Sequence, residues 1–101
     1  MSMGYNEVIT LVGYTERVDS HGLVKRTEET DDVFAQVRSI GQSEFYQAAA
    51  SGLKPEIKFV IADFWDYDNQ KELIYNGVRY NVLRTYRTGN ALEITAAGLD
   101  V

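Results

Sequence analysis

The sequence predicts a mainly β protein: a small closed or strongly curled antiparallel barrel of about six strands, with one short helix inserted between strands. Three observations predict this fold. Short runs of alternating apolar and polar residues recur along the chain, as in half-buried strands. Turn signals separate these runs, and Asn76-Gly77 is the strongest of them. Residues 43–51 are instead rich in good helix formers, and Gly52 is placed to end a helix.

The composition indicates one globular domain, residues 1–101, with 45% hydrophobic and 25% charged residues. The absence of cysteine excludes disulfides, thiolate metal sites and cysteine nucleophiles, and it fits a reducing compartment. No apolar run approaches the roughly 20 residues that span a bilayer. Residues 1–7 lack the basic and then apolar pattern of a signal peptide. We therefore expect a cytosolic protein that does not associate with a membrane.

The N-terminal half predicts strands around one turn. Residues 7–15 form the first strand, residues 19–22 carry a turn signal, and residues 23–26 are placed to pair back on the first strand. The acidic run 27–32 is expected to be a solvated strand end or a loop. Residues 33–37 then form a further strand.

The helical insert is followed directly by another strand. Pro55, the only proline, blocks continuation of the helix and favours an extended conformation at Lys54. The strand that follows runs from Ile57 to near Trp65, and Phe59 shares the inward face with Ile57.

Two hairpins complete the predicted sheet. A two-residue loop at residues 76–77 pairs Tyr75 with Val78 and Leu73 with Tyr80, which places all four on one face. This register separates apolar from polar side chains well.

The last hairpin turns near Gly89 and admits two registers. A two-residue loop puts Thr85 opposite Ile94 and requires a bulge at residues 82–83. A three-residue loop keeps a single apolar face but turns Arg84 inward, where it needs a carboxylate partner. We favour the three-residue loop with a glycine bulge.

No residues form a recognisable catalytic or metal-binding pattern. His21, the only histidine, lies in a turn, where neighbouring residues do not converge as a catalytic triad. Asp63, Asp66 and Asp68 form the densest carboxylate cluster and offer a paired-carboxylate hydrolase site, but aspartates in a hairpin turn are usually turn formers. A calcium loop that starts at Asp66 fails, because Lys71 and Gly77 stand where it requires glycine and glutamate. We therefore expect no enzyme activity, no metal and no cofactor.

One strand interleaves arginines with tyrosines, a pattern that can stack the bases of a single-stranded nucleic acid. The strand contains Arg79, Tyr80, Arg84, Tyr86 and Arg87. The simpler interpretation is an amphipathic strand with both tyrosines in the core, and with Arg79 and Arg87 solvated or paired with Glu93 and Glu72. The net charge of −5 favours this interpretation, because nucleic-acid affinity depends on cations that neutralise phosphates.

Several motifs follow one another through roughly residues 7–97. They are Val33-Phe34-Ala35-Gln36-Val37 after an acidic lead, Ser43-Glu44-Phe45-Tyr46-Gln47, Gly52-Leu53-Lys54-Pro55-Glu56, Tyr75-Asn76-Gly77-Val78-Arg79-Tyr80 and Arg84-Thr85-Tyr86. Together, in a chain of this length, they resemble the head-closure (head–tail adaptor, head-completion or stopper) proteins of long-tailed phages and prophages.

The resemblance implies a structural role in virion assembly. Proteins of this family are small β-barrels that associate as a ring of twelve copies on the portal-bound adaptor ring. The ring closes the channel, so that packaged DNA is retained, and it offers a docking surface to the tail completion protein. The implied location is the head–tail connector of the virion, and the host cytoplasm before assembly.

The resemblance also implies a role for the long connection between two barrel strands, residues 39–54. In the family this connection provides a channel-closing loop, whereas its helical character here equally suits a docking element. The candidate residues are Ser43, Glu44, Phe45, Tyr46, Gln47, Gly52, Lys54 and Pro55. Arg79, Arg84 and Arg87 are the candidates for a face that meets DNA or a partner.

Overall fold

A computed structural model describes residues 4–50, 52 and 54–98 of the chain. It confirms a closed barrel of six antiparallel strands, with a single helix between strands in this part of the chain. Ser51, in the predicted helix, and Leu53, in one of the motifs, lie outside the described residues. The elements are β1 (Glu7–Val18), β2 (Val24–Arg38), α1 (Gln42–Ala50), β3 (Ile57–Ile61), a 3-10 turn (Phe64–Asp66), β4 (Glu72–Tyr75), β5 (Val78–Thr88) and β6 (Ala91–Gly98).

The strand order around the barrel is β1-β2-β3-β6-β5-β4, and pairing of β1 with β4 closes it. Closure satisfies the edges that an open six-stranded sheet would expose. The described helix is too short to cross a membrane.

The core occupies the barrel interior, where alternate residues of every strand meet. Phe59 is fully buried, and its ring makes edge-to-face contacts with Tyr75 at 5.3 Å and with Tyr80 at 6.1 Å between centroids. This confirms the predicted inward face of β3, although β3 ends at Ile61 and the chain continues into the 3-10 turn. The other core residues are Ile9, Leu11, Ala35, Ile61, Leu73, Leu92, Ile94 and Ala96.

Strands β1 and β2 extend beyond the barrel as a two-stranded arm. Within the described chain, residues 13–18 and 24–29 form backbone ladders only with each other, and the molecule measures 53 Å along its longest axis. The prediction for residues 27–32 was wrong in part: the acidic run is solvated, but it lies inside β2, not at a strand end. Its residues pair one by one with β1, for example Thr27 with Thr15.

Both predicted tight turns are present. At the arm tip, the Asp19 carboxylate accepts bonds from the amides of His21 and Leu23 at 2.8 and 2.9 Å. In the β4–β5 hairpin, Asn76 and Gly77 have φ values of 51° and 77°, as a two-residue loop with positive φ at both positions requires. The predicted pairing of Leu73 with Tyr80 in this hairpin is confirmed.

The favoured register of the last hairpin was wrong. Thr85 lies opposite Ile94, and the register shifts between Val82 and Arg84, as the two-residue alternative requires. The bulge keeps Val82 packed against the core and turns Arg84 outward, so that no guanidinium is buried. It also turns Tyr86 outward, where 67% of the residue is exposed, contrary to its expected place in the core.

Candidate partner interface

Helix α1 lies in the long connection between β2 and β3, as predicted. The Phe45 amide donates to the Gly41 carbonyl oxygen at 2.9 Å in the first turn. At the other end, Gly52 has a φ of 82° and donates its amide to the Ala49 carbonyl oxygen at 3.0 Å. This left-handed conformation ends the helix, which confirms the role predicted for Gly52.

Glu44 fastens this helix to the barrel. Its Oε2 lies 2.6 Å from Nζ of Lys58 on β3, and its Oε1 accepts a hydrogen bond from the Arg84 guanidinium on β5. Lys58 also lies 3.2 Å from Oε1 of Glu93 on β6. The carboxylate that pairs with Arg84 therefore comes from the helix, and one cluster joins α1 to three strands.

The contact between Glu44 and Lys58 favours the charged form of both groups. The hydrogen bond from Lys58 lowers the pKa of Glu44, burial opposes this, and Arg84 lowers the pKa further. The bond to Glu44 raises the pKa of Lys58 in turn. A carboxylate held ionised in this way anchors the helix and is poorly suited to donate a proton.

A groove of about 350 Å³ lies between the helix and the barrel. Its two cations, Lys58 and Arg84, are paired with its two carboxylates, Glu44 and Glu93, so the groove offers little net charge to an ionic ligand. The lining is completed by Ser43, Gln47, Thr85, Tyr86 and Thr95.

The candidate segment has one side on the barrel and one side in solvent. Ala48 and Pro55 are buried, and Lys54 is exposed. Phe45 and Tyr46 are 40% and 63% exposed, and their rings meet edge to face at 6.0 Å. Two neighbouring aromatic rings on a helix that is fixed to a rigid barrel provide a preorganised contact surface.

The three candidate arginines do not form a common basic face. Besides Arg84, which pairs with the helix, Arg79 contacts Glu72 at 2.8 Å and Glu28 at 3.3 Å. The Arg87 guanidinium stacks on the Phe64 ring at 3.5 Å.

The two tyrosines of β5 also lie in different surroundings. Tyr80 packs in the core, and Tyr86 is exposed. An outward-facing tyrosine next to Arg84 in the groove is the part of the predicted nucleic-acid surface that the fold leaves accessible.

The three aspartates that follow β3 differ in exposure. Asp63 precedes the 3-10 turn and is half-buried, whereas Asp66 and Asp68 are exposed. Across the described residues, no three His, Cys, Asp or Glu side chains are arranged to hold a metal ion.

Sequence reasoning missed Lys58 and Glu93 as members of the anchoring cluster. The available signal was the alternation in β3, which puts Lys58 on the outward face of an otherwise apolar strand. Comparison with known proteins adds no assignment: no protein family matches the chain, and no curated protein is similar enough to indicate a relationship.

Proposed function

We propose that this protein is a structural component of a phage head–tail connector. In this role it binds the portal-bound adaptor ring, associates into a ring with further copies, closes the channel over packaged DNA and receives the tail. The motifs in the sequence support the proposal, and the closed barrel with one helical connection is compatible with it.

The observation that carries the proposal is the fixed helix with its exposed aromatic pair. The Glu44 ion pairs hold α1 on the outer surface of the barrel, and Phe45 and Tyr46 are partly exposed on it. This geometry favours a docking element over a gate, because a gate would first have to break the contacts of Glu44 with Lys58 and Arg84.

Co-assembly with portal–adaptor complexes tests the proposal. We expect the wild-type protein to co-purify with these complexes, and Tyr46→Ala to lose most of the binding. Trp65→Ala is the matched control, because Trp65 is also 61% exposed but lies in the 3-10 turn. Failure of the wild-type protein to bind portal–adaptor complexes or filled heads would reject the connector role.

A deletion of residues 43–52 separates the two roles of the segment. If the segment is a gate, the barrel still folds and assembles, but packaged DNA leaks from the heads. If it is a docking element, the deleted protein does not assemble at all. Normal DNA retention in heads that contain the deleted protein would exclude the gate.

Single-stranded nucleic-acid binding is the alternative, and the exposed ring of Tyr86 beside Arg84 is what supports it. The core position of Tyr80 and the pairing of Arg79 weaken that support. Binding of single-stranded DNA at moderate salt that disappears in Arg79→Ala and Arg87→Ala would favour this function. Absence of binding at low salt would remove it.

A further inference from the structure

Strand β2 has a long edge without a ladder partner in the described part of the chain. Residues 24–34 of β2 pair with β1 on one side, and pairing with β3 begins only at Ala35. We call residues 24–34 the open edge. An exposed edge of this length is a template for another strand, because its backbone donors and acceptors have no ladder to join.

The hydrogen bond at the end of the β1–β2 hairpin determines which residues of the open edge direct their backbone groups away from β1. The Asp19 amide donates to the Leu23 carbonyl oxygen at 2.9 Å, so hydrogen-bonded pairs between β1 and β2 recur at every second residue from there, with Arg17 and Lys25 next. The even-numbered residues from Val24 to Phe34 therefore direct their backbone N–H and C=O groups away from β1.

Charge is distributed unevenly along the open edge. Lys25 and Arg26 lie near the arm tip, and the acidic residues lie toward the barrel. Both ends carry an exposed apolar side chain, Val24 at 62% and Phe34 at 66%. The acidic residues are Glu28, Glu29, Asp31 and Asp32.

We propose that the open edge binds the open edge of a second copy of this chain, antiparallel and about a two-fold axis at Glu29. In this register Val24 lies opposite Phe34 of the second copy, and Arg26 lies opposite Asp32 of the second copy. Each contact occurs twice by symmetry, and the tip of each arm meets the acidic base of the other.

Charge selects this register over its neighbours. A two-fold axis perpendicular to the sheet places the same face of both strands on the same side. The register can therefore shift only by two residues at a time, because a one-residue shift would set side chains of opposite faces against each other. One shift puts Glu28 opposite itself and Val24 opposite Asp32. The other puts Glu28 opposite Asp32 and Arg26 opposite Phe34. Only the central register matches cation with anion and apolar with apolar on this face.

The same register has one unfavourable contact, since Glu29 faces its own copy across the axis. Like charges directly opposite each other in a sheet are destabilising. We therefore expect a dimer that forms at high protein concentration, and Glu29→Gln is expected to tighten it by a few-fold.

Cross-linking tests the register directly, because the chain contains no cysteine. Glu29 belongs to a pair that does not hydrogen-bond across the axis, so the two Cα atoms would lie roughly 4.5 Å apart, within disulfide range. Glu29→Cys should form an intermolecular disulfide on oxidation. Thr27→Cys is the matched control, because Thr27 would face Asp31 of the second copy and should not cross-link.

Charge reversal measures the energetics by sedimentation. Arg26→Asp replaces two attractions with two repulsions and should weaken the dimer about tenfold, and Arg26→Asp with Asp32→Arg should restore it. Arg17→Asp, on β1 opposite Lys25, should not weaken it. Circular dichroism confirms that each variant is folded.

A wild-type protein that stays monomeric at all concentrations would overturn the proposal. So would a dimer that is insensitive to Arg26→Asp, or that cross-links equally through positions 27 and 29. The proposal does not depend on the connector function: the dimer belongs to the free protein, and its arms would separate before a ring forms. Sedimentation of the isolated chain reports on the dimer alone.

Discussion

Nζ of Lys58 lies 2.6 Å from Oε2 of Glu44, and this contact ties the only described helix to the wall of the barrel. The second carboxylate oxygen is held by Arg84. The position of the exposed Phe45 and Tyr46 rings thus depends on one side chain, and removal of its charge should affect the helix before it affects the barrel.

Glu44→Gln should release the helix while the barrel stays folded. The Glu44 and Lys58 side chains are 19% and 16% exposed, so the loss falls between that of a surface pair and a buried pair, about 1–2 kcal/mol. In this variant the hydrogen exchange of residues 42–50 should become faster than in the wild type, whereas that of β6 should not change. Glu16→Gln, an exposed carboxylate on the arm, is the control and should leave the exchange of the helix unchanged. Equal protection of the helix in both variants would contradict the anchoring role.

Acid should weaken the same contact. The pKa of Glu44 in the folded protein is lowered below its ordinary value of 4.5, so its contribution is complete above pH 4.5 and is lost as the pH falls through the folded value. The pKa of Lys58 is raised above 10.5, so its contribution is lost only in strong alkali. The stability difference between wild type and Glu44→Gln should therefore be constant near neutral pH and should shrink below pH 4.5. Urea titrations at several pH values measure it, and a difference that grows in acid would refute the assignment.

Two phenylalanines in different surroundings test where the core lies. Phe59 is fully buried between Tyr75 and Tyr80, and Phe59→Ala should cost about 3–5 kcal/mol of unfolding free energy. Phe34 is 66% exposed, and Phe34→Ala should change it by less than about 0.5 kcal/mol. Urea denaturation of the dilute protein measures both. Similar losses in the two variants would show that Phe34 is packed in solution.

Gly77→Ala should destabilise the β4–β5 hairpin by about 1–2 kcal/mol, because a φ of 77° is unfavourable for a residue with a Cβ atom. Gly41→Ala is the matched control: it has open space for a Cβ and no positive φ, so stability should stay the same or rise slightly. The thermal unfolding midpoints of the two variants measure this difference in stability. A loss in Gly41→Ala as large as that in Gly77→Ala would contradict this account of the turn.

The parts of the fold that local sequence determines were predictable. The strand count, the hairpin at residues 76–77 and the end of the helix at Gly52 each follow from a few neighbouring residues. The register of the last hairpin did not, because two loops fitted the apolar pattern and the choice depended on whether β5 takes up a bulge between Val82 and Arg84.

The candidate site was harder to predict because its partners are distant in sequence. Glu44 is 14 residues from Lys58 and 40 residues from Arg84, and no periodic pattern links them. The continuity of β2 was missed for a similar reason. Residues 27–32 are too charged to indicate a strand alone, and they form one because β1 offers a matching ladder.

The ladder that closes the barrel is also its shortest. β1 meets β4 through three residue pairs, Thr10–Ile74, Leu11–Leu73 and Val12–Glu72, whereas the β3–β6 ladder has five. The hairpins β1–β2, β4–β5 and β5–β6 join strands that are neighbours in the chain, so they form with little loss of chain entropy. We therefore expect the β1–β4 ladder to form last during folding. In the native state the barrel should open first at the β1–β4 ladder. The amides of β4 should exchange hydrogen through this local opening, whereas those of β6 should exchange only through global unfolding.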